Sequence, residues 1–119
     1  MIRLRKISDL EIDRGLSLMN GNEPLYIHCV RDFLRLHEFQ TSEIRRAIAA
    51  LNFKSAFHLS HSLRGQAAYL GASKLEEITD KLEKLLESKK KSNKKMDAQL
   101  DAVEHELGQL VSLFKEALL

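Results

Sequence analysis

Apolar residues recur at steps of three and four along most of the chain, the spacing that places side chains on one face of an α-helix. The C-terminal stretch shows this most clearly, with apolar residues at Met96, Leu100, Val103, Leu107, Leu110 and Phe114. Such a stripe is typical of a helix packed lengthwise in a bundle. No segment shows the sustained alternation of β-branched residues that is typical of a strand. The pattern therefore predicts an all-α protein.

Residues that cap or end helices divide this pattern into six helices. We expect a short helix from Arg14 to Met19 capped by Asp13, a second helix from the cap Asn22 to about His37, and a third from Thr41 or Ser42 through Leu51. A fourth helix should run from about Phe53 to Leu70. The fifth should open with a capping box of Ser73 and Glu76 and carry Leu75, Ile78, Leu82 and Leu85, and the sixth should carry the C-terminal stripe.

Short loops between long helices make neighbouring helices antiparallel. The predicted architecture is an antiparallel four-helix bundle with additional short helices on the N-terminal side. At 119 residues the chain has the size of one compact domain. We expect a single domain over residues 1–119, with residues 1–8 as either a linker or a native start.

Composition and charge argue against several classes of function. With 19 basic and 17 acidic residues the net charge is only +2, so there is no overall attraction to nucleic acid or to an anionic membrane. The run from Lys89 to Lys95 lacks aromatic residues, and we interpret it as a solvated loop rather than a nucleic-acid site. No apolar run is long enough to cross a bilayer. A single cysteine, Cys29, fits a reducing compartment, so we expect a cytoplasmic location without membrane insertion.

The fourth helix carries the candidate chemistry. Its predicted buried stripe is Ala56, Ser60, Leu63, Ala67 and Leu70. At 100° per residue, His61 lies about 160° from the centre of that stripe and should face solvent. Gly65 lies one turn further along the same face, and a helical glycine costs roughly 1 kcal/mol relative to alanine. An exposed imidazole with open space and basic side chains around it suits phosphoryl transfer, because neutral imidazole is a nucleophile near neutral pH.

A longer motif surrounds this histidine. It consists of His61-Ser-Leu-Arg64-Gly65, then Gly71-Ala72, then Leu75 and Leu82-Glu83, preceded upstream by a short helix, a glycine turn and Pro24-Leu-Tyr26. The motif resembles the phosphohistidine signature of histidine-containing phosphotransfer domains of multistep two-component phosphorelays. The resemblance covers roughly residues 9–88. The last helix resembles the family only in being an amphipathic helix and shares no motif with it. Two positions depart from the family pattern: Arg64 stands where lysine is usual, and Gln66 stands where serine or alanine is common.

The resemblance implies a role for each residue of the motif. His61 would accept a phosphoryl group from a receiver-domain aspartate and pass it to another receiver, and Gly65 would leave clearance for that partner. Arg64 would supply a cation for phosphoryl oxygens. Glu83 would orient or hydrogen-bond the histidine; its distance from the helix turn near Gly71 puts it at the height of His61, although a solvated surface glutamate is the alternative.

The same resemblance predicts a phosphorelay intermediate rather than an enzyme with its own ATP site. No Gly-rich loop or Walker lysine is present in the sequence. We expect no cofactor, with Mg²⁺ supplied by the receiver, which would dock on the fourth helix and on the helix around Pro24 to Phe33. A parent hybrid histidine kinase is a further expected partner, and the sequence leaves open whether the domain is free-standing.

Two other interpretations remain open. His58 and His61 lie on one helix face, but the sequence lacks the Glu-x-x-His and His-Glu-x-x-His motifs of metal sites, so we expect no metal. The alternative function is a helical adaptor or a coiled-coil dimer. In that case the C-terminal stripe, and not His61, would bind the partner.

Overall fold

The computed structural model describes residues 11–88 and 94–118, and these form six helices without any strand. Their bounds are α1 Ile12–Leu18, α2 Glu23–His37, α3 Gln40–Ala49, α4 Phe53–Leu70, α5 Ser73–Ser88 and α6 Lys94–Leu118. The all-α prediction is confirmed over the described residues.

Helices α3 to α6 form an antiparallel bundle, in which α4 packs against α3 and α5, and α6 packs against α5. The shorter α1 and the α2 helix lie against α4 on the N-terminal side, as predicted. One hydrophobic cluster joins all six helices. The whole C-terminal stripe faces this cluster: Met96, Leu100, Val103, Leu107, Leu110 and Phe114 are all buried. The stripe of α4 is likewise buried throughout.

Both ends of α4 lie where the sequence places them. At the start, Asn52 Oδ1 accepts a hydrogen bond from the backbone N–H of Ser55 at 3.1 Å, which satisfies one of the free donors of the first turn. At the end, Gly71 has a φ of 80°, the left-handed conformation that closes a helix most easily when the residue is glycine. These two residues fix the length of the helix that carries His61.

The segment before α1 contacts Gly71, and this contact changes where α1 begins. The Glu11 N–H donates to the Gly71 carbonyl at 2.7 Å, and a Cβ added at Gly71 would lie 2.1 Å from the Glu11 carbonyl oxygen. Because Glu11 is held against Gly71, α1 begins at Ile12, and Glu11 occupies the N-cap position. Asp13 therefore lies inside the first turn, and the prediction that it caps the helix was wrong.

Two side chains tie α1 and α2 to the α4–α5 turn. The buried hydroxyl of Tyr26 donates to the Leu70 carbonyl at 2.5 Å. Burial raises the pKa of Tyr26 well above its usual value. Arg14 of α1 donates to the Ser73 hydroxyl at 3.2 Å and pairs with Glu76 at 2.7 Å. These contacts hold the N-terminal helices against the end of α4.

Three further details of the predicted helices need correction. The third helix runs from Gln40 to Ala49 and does not reach Leu51, because the left-handed φ of 60° at Leu51 cannot continue a right-handed helix. The fifth helix begins at Ser73 itself, and the hydroxyl of Ser73 and the carboxylate of Glu76 contact Arg14 instead of forming a capping box. Within that helix Leu75, Leu82 and Leu86 are buried, whereas Ile78 and Leu85 are only partly buried.

The lysine-rich run lies partly outside the described residues. Residues 89–93 are outside them, whereas Lys94 and Lys95 form the first turn of α6 and are not loop residues. None of the described helices combines the length and apolar character needed to cross a membrane.

Candidate functional site

His61 lies in the middle of α4 with its side chain 59% exposed. The buried stripe of α4 includes Ser60 and Leu63, on either side of His61 in sequence, and it directs the imidazole away from the core. The prediction that His61 faces solvent is confirmed. The ring of Phe57, one turn earlier on α4, stacks on the imidazole with centroids 6.1 Å apart and planes 14° apart. This contact supports one side of the ring.

The space beside the imidazole is open along the helix. Gly65 is exposed, and apart from its own helix backbone and chain neighbours a Cβ added there would meet no atom of the described residues within 4 Å. Close helix packing therefore does not explain the glycine, since no neighbouring helix occupies that space. His58 is also exposed on α4, with its ring set edge-on to Phe57 at 5.7 Å.

Glu83 of α5 anchors the imidazole. Its Oε1 atom lies 2.9 Å from His61 Nδ1, and its side chain is only 11% exposed. Helices α4 and α5 run antiparallel from the Gly71 turn, so the two residues meet at the same height, as the count of residues from the turn predicted. The alternative of a solvated surface glutamate does not hold in this structure.

Arg64 lies beside the same carboxylate. Its Nε donates to Glu83 Oε1 at 3.1 Å, and Asp80 of α5 is 3.9 Å from that Nε. Its Nη2 lies 3.2 Å from His61 Nδ1. The guanidinium thus faces the Nδ1 side of the imidazole, whereas the sequence expectation placed it at phosphoryl oxygens. Sequence reasoning missed Phe57 and Asp80, since neither residue belongs to the motif.

The contact with Glu83 favours one ring nitrogen as the reactive atom. An ionised carboxylate only accepts hydrogen bonds, so it pairs with an imidazole that carries its proton on Nδ1. In a neutral imidazole with a proton on Nδ1, the lone pair is on Nε2. With Glu83 on Nδ1, the exposed ring presents Nε2 as an atom that can act as a nucleophile.

The structure gives no support to a metal site at these histidines. Among residues 11–88 and 94–118, no group of three or more histidine, cysteine, aspartate or glutamate side chains is placed to hold a metal ion. His58 and His61 therefore do not form part of such a cluster within the described chain.

Comparison with known protein families gives a match. A family model described as the Hpt domain matches residues 28–113, which is more than half of the chain. The matched range contains His61, Arg64, Gly65 and Glu83. No curated protein and no solved structure matches the chain.

Proposed function

The chain belongs to the Hpt domain family, and from this premise we propose that His61 is the residue that carries the phosphoryl group. Family membership establishes the general activity, histidine phosphotransfer in a two-component phosphorelay. Hpt domains are phosphotransfer modules and not kinases. The residues that perform the transfer, their partners and the direction of transfer belong to the proposal.

One observation carries the assignment to His61. Its imidazole is exposed, and Glu83 holds it through Nδ1 at 2.9 Å. The reactive Nε2 is left for a partner, and the open space at Gly65 lets that partner approach. His58 lies on the same helix and is exposed, but within residues 11–88 and 94–118 no carboxylate is paired with its ring, whereas Glu83 is paired with that of His61.

The proposed transfer moves one phosphoryl group from the aspartyl phosphate of a receiver to the neutral imidazole of His61. Nε2 of His61 attacks the phosphorus of an aspartyl phosphate on a receiver domain. The bond from phosphorus to the aspartate oxygen breaks, its electron pair stays on the carboxylate, and an Nε2–P bond forms. Positive charge develops on the imidazole, and Glu83 stabilises it through the Nδ1 proton. Transfer to a second receiver reverses these steps.

The remaining parts would come from the receiver. Hpt domains generally interact with receiver domains, and we propose that the receiver brings the Mg²⁺ that neutralises phosphoryl charge. The docking face would include α4 around His61 and the neighbouring α2. We further propose that residues 1–119 act as one cytoplasmic Hpt unit, either free-standing or as part of a hybrid histidine kinase.

The adaptor alternative is not favoured by the structure. It requires the C-terminal stripe of α6 to be free for a partner, but that stripe is buried in the core of this chain. A partner could bind it only if the bundle opened.

A transfer assay with two histidine variants tests the proposal. A panel of purified receiver domains is phosphorylated with acetyl phosphate and mixed with the wild-type protein, His61→Gln or His58→Gln. We expect His61→Gln to accept no phosphoryl group and His58→Gln to accept it at close to the wild-type rate. Normal acceptance by His61→Gln, or loss of acceptance in His58→Gln alone, would contradict the assignment.

A further inference from the structure

His61 Nδ1 has two neighbours that require opposite protonation states. Glu83 Oε1, 2.9 Å away, accepts a hydrogen bond only if Nδ1 carries a proton. Arg64 Nη2, 3.2 Å away, can donate a hydrogen bond only if Nδ1 has a free lone pair. One imidazole cannot satisfy both at once, so the two residues compete for the state of the ring.

We propose that Arg64 lowers the phosphoryl-transfer reactivity of His61 by stabilising the form in which Nδ1 has no proton. Glu83 stabilises the other form, so the pair sets the balance between a reactive and a resting imidazole. This inference rests on the proposed function and concerns the regulation of the same site.

A second contact of Arg64 keeps its guanidinium next to the imidazole. Arginine has separate Nε and Nη2 donors. The Nε donor is held by Glu83 at 3.1 Å, which keeps Nη2 next to the imidazole, and the side chain is only 28% exposed. Arg64 is therefore a positioning residue for the ring, and in this arrangement it does not reach towards Nε2.

In the unphosphorylated protein the competition concerns the nucleophile. An imidazole with its proton on Nδ1 has its lone pair on Nε2 and can attack phosphorus. An imidazole whose Nδ1 accepts from Arg64 carries its proton on Nε2, where no lone pair is left to attack. A hydrogen bond from Arg64 thus reduces the reactive fraction of His61.

In the phosphorylated protein the competition concerns the leaving group. The Nε2–P bond breaks with its electron pair remaining on Nε2, while phosphorus bonds to a receiver carboxylate or to water. With a proton on Nδ1 the leaving group is neutral imidazole, and without it the leaving group is an imidazolate anion. The anion leaves far less readily, which is why phosphohistidine is labile in acid and stable in alkali. Arg64 should therefore prolong the lifetime of the phosphohistidine, and Glu83 should shorten it.

Two measurements without any receiver test this proposal. Nitrogen-15 NMR of histidine-labelled protein at about pH 8.5, where an ordinary imidazole is neutral, gives the ratio of the two His61 tautomers. Phosphorus-31 NMR at about pH 7 follows the decay of phosphohistidine formed with phosphoramidate. The variants are Arg64→Ala and Glu83→Gln, with Arg46→Ala as a control that makes the same charge change on the exposed face of α3.

We expect Arg64→Ala to increase the fraction with a proton on Nδ1 and to shorten the phosphohistidine lifetime about 3-fold to 10-fold, the net effect of one ordinary hydrogen bond. Glu83→Gln should shift both quantities the other way, and Arg46→Ala should change neither. Thermal melting of each variant checks that the bundle is intact.

The proposal is overturned if Arg64→Ala keeps the wild-type tautomer ratio and lifetime, or if both site variants shift in the same direction. Neither readout depends on a receiver. A failure of receivers to phosphorylate His61 would therefore defeat the proposed function and leave these measurements unaffected.

Discussion

Replacing Gly65 by glutamine should stabilise the protein while it impairs transfer. A Cβ at this position meets no atom within 4 Å, so the substitution introduces no clash inside the chain. The full difference in helix propensity between glycine and glutamine then remains, about 0.5–1 kcal/mol in favour of the variant. For a chain of this size that corresponds to a rise in Tm of roughly 2–6 °C.

The effect on transfer should have the opposite sign. The glutamine side chain would project from α4 one turn beyond His61, into the space that the receiver must enter. We expect transfer to slow at least about 10-fold, which is a loss of about 1.4 kcal/mol of transition-state stabilisation. Transfer is measured as the rate of phosphoryl loss from a phosphorylated receiver domain.

Gly108 provides a matched control for this experiment. It is also an exposed glycine within a helix, and a Cβ added there likewise meets nothing within 4 Å. It lies on α6, so Gly108→Gln should raise the Tm by a similar amount and leave transfer unchanged. If Gly65→Gln transfers as fast as Gly108→Gln, the receiver does not approach over Gly65 and the reason for placing Gly65 in the site is wrong.

Three further predictions concern the scaffold around the site. Gly71→Ala should lower the free energy of unfolding by more than about 1–2 kcal/mol in thermal denaturation, because alanine resists the left-handed conformation and its Cβ would meet the Glu11 carbonyl; an unchanged Tm would refute this. Tyr26→Phe should cost about 1–2 kcal/mol through the unpaired Leu70 carbonyl. Burial raises the pKa of Tyr26 in the folded state, so its contribution is complete below the unfolded value of about 10 and declines as the pH rises above it; denaturation over that range should show a steeper loss of stability in the wild type than in the variant. Thr79→Val should be neutral or stabilising by up to about 1 kcal/mol, because the buried Thr79 hydroxyl has no hydrogen-bond partner; a clear loss of stability in urea denaturation would count against it.

The sequence predicts those parts of the fold that depend on local signals. Asn52 and Gly71 mark both ends of α4 because a side-chain cap and a left-handed glycine act within a few residues of the helix end. A contact with a distant segment moves the start of α1. Helix α1 starts earlier than expected because Glu11 binds the turn at Gly71, and no pattern in residues near Asp13 carries that information.

In the candidate site, too, some features follow from local sequence and others depend on contacts between helices. The exposure of His61 follows from the helical period, and its meeting with Glu83 follows from counting residues away from a shared turn. The direction of the Arg64 guanidinium does not follow, since a long flexible side chain settles according to the carboxylates that another helix brings near it. Here Glu83 draws Arg64 to the Nδ1 side of the ring.

The position of the phosphoryl group on the protein tests the central claim most directly. The wild-type protein is phosphorylated by a receiver domain, and NMR of the nitrogen-15-labelled product identifies the nitrogen bonded to phosphorus. Because Glu83 occupies the Nδ1 side of His61, we predict a single phosphohistidine at His61 with phosphorus on Nε2. Phosphorus on Nδ1 of His61, or on any other residue, would contradict it.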